Sequence, residues 1–318
     1  MRNSKKSSIF APKSRFLNYI MKKILLILSI FVFSIPVLAD GEDYYRRGAN
    51  YYFGKNGCAQ DYAQAVYWYI RAAEMGHPLA QHNLGFCYKK GLGVDPDNYK
   101  AFEWFLKAAE QDVVMAQHEV GYCYYHSRGV SRNYELAVYW YEKAANQNYA
   151  PSQNNLGTCY ELGRGVPPNN IVAASWYRKA AEQGHKDGQY NLAEAYAKGR
   201  GVPQNFEEAA KWYRLAADQG VSKAQYAMGK LYYFGDLGEV DLQQAHYWFT
   251  LAAASGHKDA PNKLAEVALL LESMPKDSVE PDAILMEEVV ADPLALLPDS
   301  LLLDSLINSP LLDTIPLE

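Results

Sequence analysis

The six tryptophans of this chain are evenly spaced. They fall 36 residues apart, at Trp68, Trp104, Trp140, Trp176, Trp212 and Trp248. A tyrosine column keeps the same step through Tyr52, Tyr88, Tyr124, Tyr160, Tyr196 and Tyr232, and an alanine column keeps it from Ala65 to Ala245. Periods of about 20 to 50 residues indicate stacked structural units that contact only their neighbours. The spacing therefore predicts an array of six equal units.

Each unit is predicted to contain two antiparallel helices. In the second unit Ala80, Leu84 and Tyr88 recur at helical spacing, and helical spacing resumes over residues 101–109. Between them, the glycine-rich run at residues 91–94 breaks the pattern. Because glycine adopts the positive φ at which many helices end, such a run is typical of a helix terminus. The predicted fold class is all-α.

These columns resemble the Sel-one-like repeat (SLR) family, whose members are related to the tetratricopeptide repeat. The shared motif is AxxxLGxxYxxGxGVxxxxxxAxxWxxxAAxxG, and the fourth unit matches it at Leu156, Gly157, Tyr160, Gly163, Gly165, Val166, Ala173, Trp176, Ala180, Ala181 and Gly184. The resemblance covers about residues 44–270. It implies a right-handed α-solenoid of six helix-turn-helix repeats. A seventh first-helix pattern after the last repeat, at Ala260, Leu264 and Ala268, predicts a capping helix.

The first 39 residues have the features of a secretory signal peptide. Lys22 and Lys23 precede an apolar run at 24–35, and the small residue Ala39 ends the segment. This pattern predicts cleavage after Ala39 and a periplasmic or secreted protein without a membrane span. An uncleaved anchor is the alternative, although the run is shorter than the about 20 apolar residues of a membrane helix. Met21 is an alternative translation start.

The residues after the repeats differ in composition from the rest. Residues 272–318 contain eleven acidic residues and a single lysine, Lys276, and their leucine clusters are interrupted by prolines. Because proline breaks helices, we expect a flexible acidic tail after a solenoid at residues 40–271. The tail could dock on the solenoid, bind a partner or do neither. The whole chain carries 36 acidic residues against 31 lysines and arginines, without a basic stripe, which argues against nucleic-acid binding.

The four cysteines are mostly explained by the repeat. Cys87, Cys123 and Cys159 share one repeat position, as expected for a small buried side chain. Equivalent positions in stacked helices lie about 8 to 10 Å apart, beyond the roughly 7 Å Cα separation that a disulfide tolerates. One pairing, Cys58 with Cys87, is kept as a candidate disulfide because an exported protein favours disulfides.

Catalytic and metal-binding patterns are weak. Five of the seven histidines fall at two shared repeat positions, and no metal-ligand spacing is present, so neither a metal nor a cofactor is predicted. Ser255 and Lys258 match the SxxK motif, but its SDN and KTG partners are missing. The chain is therefore predicted not to be an enzyme. Because β-lactamase-like activity is attributed to some secreted SLR proteins, a hydrolase acting on β-lactams or peptidoglycan is the alternative.

First-helix positions that are not used for packing are candidates for a binding surface. They mix aromatic rings, which supply contact area, with amides that can hold a peptide backbone. The candidates are His82, Asn83, Phe86, His118, Tyr122, Tyr125, Asn155, Tyr190, Asn191 and Tyr226. The resemblance implies an adaptor that binds a protein or peptide on the concave face of the solenoid. Two alternatives are a merely solvated helix surface and a passive envelope component held by its tail.

Overall fold

The computed structural model of the protein describes residues 40–274 of the 318-residue chain. This part of the chain contains thirteen α-helices and no strand. The helices are α1 (Gly41–Phe53), α2 (Tyr62–Glu74), α3 (Pro78–Lys90), α4 (Asn98–Glu110), α5 (Val114–His126), α6 (Tyr134–Asn146), α7 (Ala150–Leu162), α8 (Asn170–Glu182), α9 (Lys186–Lys198), α10 (Phe206–Asp218), α11 (Ser222–Phe234), α12 (Leu242–Ala254) and α13 (Ala260–Ser273). The predicted signal peptide and all but the first three residues of the acidic tail lie outside the described residues.

The helices alternate between two roles. The odd-numbered helices α1 to α11 begin the six repeats and are called A helices here, and the even-numbered helices complete the repeats and are called B helices. Each A helix packs on the B helix of its own repeat, and each B helix packs on the next A helix. The final helix, α13, packs on α12. The predicted all-α solenoid of six repeats with a capping helix is confirmed.

Side chains at fixed repeat positions begin the B helices. An Asp or Asn precedes every B helix and accepts hydrogen bonds from backbone N–H groups of its first turn; these caps are Asp61, Asp97, Asn133, Asn169, Asn205 and Asp241. Such caps satisfy donors that the helix itself leaves unpaired. The repeat sequence thus fixes where each B helix starts.

The deepest ring of each repeat is the residue that follows the tryptophan. Tyr69, Phe105, Tyr141, Tyr177, Tyr213 and Phe249 are at most 2% exposed. In five repeats this ring faces a glycine of its A helix, and in repeat 5 the facing position holds the small residue Ala193. A Cβ atom on Gly157 would lie 2.7 Å from the ring of Tyr177, so a larger side chain there would overlap the ring. The tryptophan column marks the period, whereas this ring and the small A-helix residue form a close contact inside the repeat.

A column of buried A-helix glutamines joins successive repeats. The amide of Gln153 in α7 donates to the carbonyl of Ala145 in α6, at 3.2 Å, and its oxygen accepts from Gln183, which follows α8, at 2.7 Å. The same side-chain pair recurs as Gln111 to Gln81, Gln147 to Gln117 and Gln219 to Gln189, at 2.7 to 2.9 Å. This glutamine ladder satisfies carbonyls at the ends of B helices. Sequence analysis missed it, although its columns keep the 36-residue step.

Candidate functional site

The predicted binding residues all lie on A helices, but not all are accessible. His82 and Asn83 of α3 are 6% and 8% exposed, and His82 Nδ1 lies 3.2 Å from Asn83 Oδ1. Burial also lowers the pKa of His82, so its ring is neutral at physiological pH. These two side chains belong to the interior rather than to an open surface, contrary to their selection as groove residues.

The remaining candidates are half-buried. The aromatic candidates and neighbouring half-buried charged side chains on α3 to α11 are together called the A-helix face below. Its members are Phe86, Lys89, Tyr122, Tyr125, Glu161, Tyr190, Glu194, Tyr226, Lys230 and Tyr233. The structure thus brings most of the predicted aromatic residues to one set of helices.

Polar candidates connect neighbouring A helices. Asn191 of α9 donates to the Asn154 side-chain oxygen of α7 at 2.8 Å, and His118 Nδ1 of α5 lies 2.8 Å from the Ser152 hydroxyl of α7. Asn155, also predicted, lies at the same repeat position as Asn191 and is half-buried. Asn191 and His118 therefore fix the spacing of the A helices as well as bordering the face.

Charged side chains also cross the repeat junctions. Lys89 of α3 contacts both carboxylate oxygens of Glu119 in α5, at 2.9 and 2.8 Å, and its ammonium lies 5.3 Å from the Tyr122 ring centre. Further along, the Arg200 guanidinium lies 2.7 Å from a carboxylate oxygen of Glu161. Because ion-pair partners already order these long side chains, they lose less conformational entropy when a ligand binds than unpaired side chains would.

The aromatic side chains of the face pack on one another. The ring centres of Tyr122 and His126 lie 4.2 Å apart, and Tyr226 stacks on His257 at 4.1 Å. Burial raises the pKa of Tyr190 to about 12, and burial lowers the pKa of His118 to about 4. Both side chains are therefore neutral at physiological pH. They offer contact area and hydrogen bonds rather than proton transfer.

The cysteines are free thiols in the structure. Cys87, Cys123 and Cys159 are buried in A helices, and burial raises the pKa of each thiol to about 12. The candidate disulfide between Cys58 and Cys87 is not formed. Cys87 packs in a cluster with Val94, the loop residue of its own repeat, whereas Cys58 is partly exposed in the preceding loop. The three buried cysteines fill the small hydrophobic position that the repeat register predicted.

Within residues 40–274, no group of three or more His, Cys, Asp or Glu side chains is placed to hold a metal ion. Ser255, the serine of the SxxK match, is an exposed residue at the carboxyl end of α12. Among the helices described, none combines the length and apolar character needed to cross a membrane.

Comparison with protein families gives one match that spans most of the chain. The model described as the Sel1 repeat matches six consecutive segments, residues 42–77, 78–113, 114–149, 150–185, 186–221 and 222–257. Each segment contains one A helix and one B helix. The family boundaries and the structural repeats therefore coincide.

Solved structures with the same fold include two of more than 30% identity. The protective antigen c5321 of uropathogenic Escherichia coli strains, described as displaying an SLR fold, is 36% identical, with a TM-score of 0.56 over 73% of this chain and 57% of that chain. A Sel1 repeat protein from Oxalobacter formigenes is 32% identical, with a TM-score of 0.62 over 67% of this chain and 85% of that chain.

Two curated relatives come from Arabidopsis thaliana. They are the ERAD-associated E3 ubiquitin-protein ligase components HRD3B, 44% identical over 52 residues, and HRD3A, 37% identical over 49 residues. These matches span 16% and 15% of this chain but only 8% and 7% of the relatives. The likeness is therefore confined to a short stretch of repeats.

Proposed function

The chain belongs to the Sel1 repeat family of protein-interaction scaffolds, and from that premise we propose that it binds a protein or extended peptide along the A-helix face. As a scaffold it is not an enzyme, in line with the sequence prediction. The two Arabidopsis relatives, which match over a short stretch of repeats, are named as components of a ubiquitin-protein ligase. Their names support a role in assembly with other proteins.

The observation that carries the proposal is the contact network between successive A helices. Lys89 pairs with Glu119 between repeats 2 and 3, Arg164 donates to the Tyr125 hydroxyl between repeats 3 and 4, and Arg200 pairs with Glu161 between repeats 4 and 5. A surface whose side chains are already ordered binds a partner with a smaller entropy cost. Half-buried tyrosines beside it provide rigid contact area.

The B helices do not offer an equivalent surface. Tyr67, Tyr139 and Tyr247 are exposed at one repeat position, at 45%, 49% and 40%. The same position holds Glu103 in repeat 2 and Lys211 in repeat 5, so the aromatic row is interrupted. These three tyrosines are therefore a matched control for residues of the A-helix face.

The test is affinity capture from the envelope and secreted fractions of the native cell, read by quantitative mass spectrometry. The face variant combines Phe86→Ala, Tyr122→Ala and Tyr226→Ala, and the control variant combines Tyr67→Ala, Tyr139→Ala and Tyr247→Ala. Circular dichroism and urea unfolding establish that both variants are folded. We expect the parent and the control variant to recover the same protein and the face variant to lose it.

The reverse result would contradict the proposal. If the control variant loses the partner and the face variant retains it, the B helices form the binding surface. Recovery that is equal for all three proteins would place binding outside both sets of residues. Neither outcome would be compatible with recognition by the A-helix face.

Export is proposed separately, on the strength of the amino-terminal sequence. Lys22, Lys23 and the apolar run at 24–35 precede Ala39, and the first described helix begins at Gly41. A signal peptide removed after Ala39 would leave Asp40 as the first residue, and the Asp40 side chain accepts a hydrogen bond from the Asp43 N–H of α1. Amino-terminal sequencing of the protein from its native cell should begin at Asp40. A sequence that begins upstream of residue 24 would contradict cleavage.

A further inference from the structure

Three arginines occupy one repeat position, in the loops that follow three consecutive A helices. They are Arg128, Arg164 and Arg200, each 36 residues from the next. The Arg164 guanidinium donates to the hydroxyl of Tyr125, and the Arg200 guanidinium pairs with Glu161 at 2.7 Å. In both cases the partner lies 39 residues earlier, on the preceding A helix. The repeat geometry therefore aims this arginine at one defined position.

For Arg128 that position holds another cation. The residue 39 positions earlier is Lys89, whose ammonium is bound by Glu119. Among the described residues, the Arg128 side chain makes no hydrogen bond or ion pair and is exposed, although its backbone N–H donates to the Cys123 carbonyl. The acceptor that Arg164 and Arg200 find within the solenoid is thus missing at this junction.

A cavity of about 250 Å³ lies between repeats 2 and 3 at this place. Lys89, Lys90 and Arg128 line it together with Glu119 and the ring of Tyr122. With three cations against one carboxylate, the charged side chains of the cavity carry a formal charge of +2. Lys90 forms no ion pair within the described residues, and its ammonium lies 5.9 Å from the Phe86 ring centre. The cavity therefore combines an excess of positive charge with an aromatic wall.

We propose that this cavity binds an acidic side chain, Asp or Glu, of the protein segment held by the A-helix face. This inference rests on the proposed function and specifies the chemistry of the partner. The carboxylate would take the place that Glu161 takes beside Arg200. A guanidinium presents parallel N–H donors that match the two oxygens of a carboxylate, and the adjacent Lys90 adds attraction. The Phe86 and Tyr122 rings offer an apolar surface to the neighbouring residue of the partner.

The first test uses a displayed library of random linear peptides as the probe and the full chain after Ala39 as the target, at about 0.15 M salt. We expect the enriched peptides to share an Asp or Glu. The Arg128→Glu target should not enrich those peptides, because it reverses the charge that holds the carboxylate. Lys186→Glu makes the same change at an exposed position of α9, in repeat 5, and should leave the enrichment intact.

The second test uses one enriched peptide and its version with the acidic residue replaced by the amide, measured by fluorescence anisotropy. A charge-assisted pair to an arginine predicts about a tenfold or greater loss of affinity for the amide peptide. A peptide with lysine at that residue should regain affinity for the Arg128→Glu protein. Such reciprocal recovery requires direct contact and would not arise from a general loss of folding.

The outcomes separate this inference from the proposed function. Enriched peptides without an acidic residue, or acidic peptides that bind Arg128→Glu as tightly as the parent, would overturn the carboxylate site and leave a peptide-binding A-helix face. Displacement of the acidic peptide by about 10 mM inorganic phosphate, with no difference between the acidic and amide peptides, would show a general anion site and also overturn it. A library that yields no enriched peptide would count against both.

Discussion

The glutamine ladder and the arginine row both cross the junctions between repeats, but they differ in kind. The ladder pairs glutamine with glutamine in repeats 2 to 5, and the amide-to-amide distance stays between 2.7 and 2.9 Å. In the arginine row, by contrast, the residue 39 positions before the arginine changes from Lys89 to Tyr125 to Glu161, and Tyr125 and Glu161 pair with their arginines. Constant columns build the fold because every junction needs the same contact. Positions that vary at constant geometry are free to serve recognition.

We expect the largest effect from a substitution at a repeat position whose residue type hardly varies, such as the A-helix glycine. In Gly157→Val the new side chain would overlap the ring of Tyr177, since even its Cβ would lie 2.7 Å away and 3.1 Å from the Ala173 carbonyl oxygen. We expect the free energy of unfolding to fall by about 3 kcal/mol, as in overpacked cores. Urea unfolding followed by circular dichroism measures the change.

The neighbouring residue provides the matched control for that variant. Thr158→Val introduces the same side chain one position along, on the half-buried surface of α7. It removes a 3.2 Å hydrogen bond to the Asn154 carbonyl and a 3.3 Å bond from the Tyr177 hydroxyl, which keeps its 2.7 Å bond to Glu161. This change should cost no more than about 1 kcal/mol. If the two variants were equally stable, the glycine column would not be the tight contact that the structure shows.

The ladder itself is the next target. Gln153→Ala removes the donor to the Ala145 carbonyl and the acceptor of Gln183, and both Gln153 and its bond to Ala145 are buried. Because buried polar groups left unpaired are costly, we expect a loss of about 2 kcal/mol in the free energy of unfolding. Gln243→Ala, on the exposed side of α12, should change it by less than about 0.5 kcal/mol. A ladder variant as stable as this control would show that the rung is dispensable.

How far the sequence predicts this molecule follows from the same distinction. The six repeats, their two helices and the buried cysteine column were all predicted, because a feature repeated in register is visible without knowing its contacts. The Gln81 to Gln225 column was equally visible and was passed over, because glutamine is usually exposed. Its burial at 6% or less becomes apparent only when the adjoining helix ends are placed.

The candidate site was predicted less completely than the fold. Phe86 and Tyr122 are half-buried on their A helices, whereas His82 and Asn83 are buried in the interior. Helical periodicity predicts the side of the helix on which a residue lies. It does not predict how deeply the side chain is buried, because burial depends on the neighbouring repeat. For the same reason the unmatched Arg128 was not predicted, since its expected partner lies 39 residues away on another helix.

His118, at a repeat position whose residue type varies, should make the stability of the protein depend on pH. Burial lowers the pKa of His118 to about 4, against about 6.5 in an unfolded chain. Between these values the unfolded state binds more protons, so the contribution of His118 is complete above about pH 6.5 and declines as pH falls towards 4. We expect His118→Asn, which copies Asn154 of repeat 4, to remove this decline.

The measurement is the urea midpoint at pH 7.5 and pH 5. Between these two pH values the parent should lose about 1 to 2 kcal/mol more of its free energy of unfolding than the His118→Asn variant. His185 is a useful reference, because burial lowers its pKa too and its ring nitrogen caps α9 through the Gly188 N–H at 3.1 Å. If His118→Asn leaves the pH dependence unchanged, the decline arises at other histidines such as His185.

The smallest expected effect compares two members of the arginine row. Arg200→Gln breaks the ion pair with Glu161. Because this pair is partly exposed, its loss should lower the free energy of unfolding by about 0.5 to 1 kcal/mol. Arg128→Gln breaks no pair among the described residues, so stability should stay within about 0.5 kcal/mol of the parent. An equal loss in both variants would mean that Arg128 is held by the protein itself, which would leave no unmatched cation for a partner to neutralise. A loss confined to Arg200→Gln would show that one repeat position serves stability at one junction and is left free for binding at another.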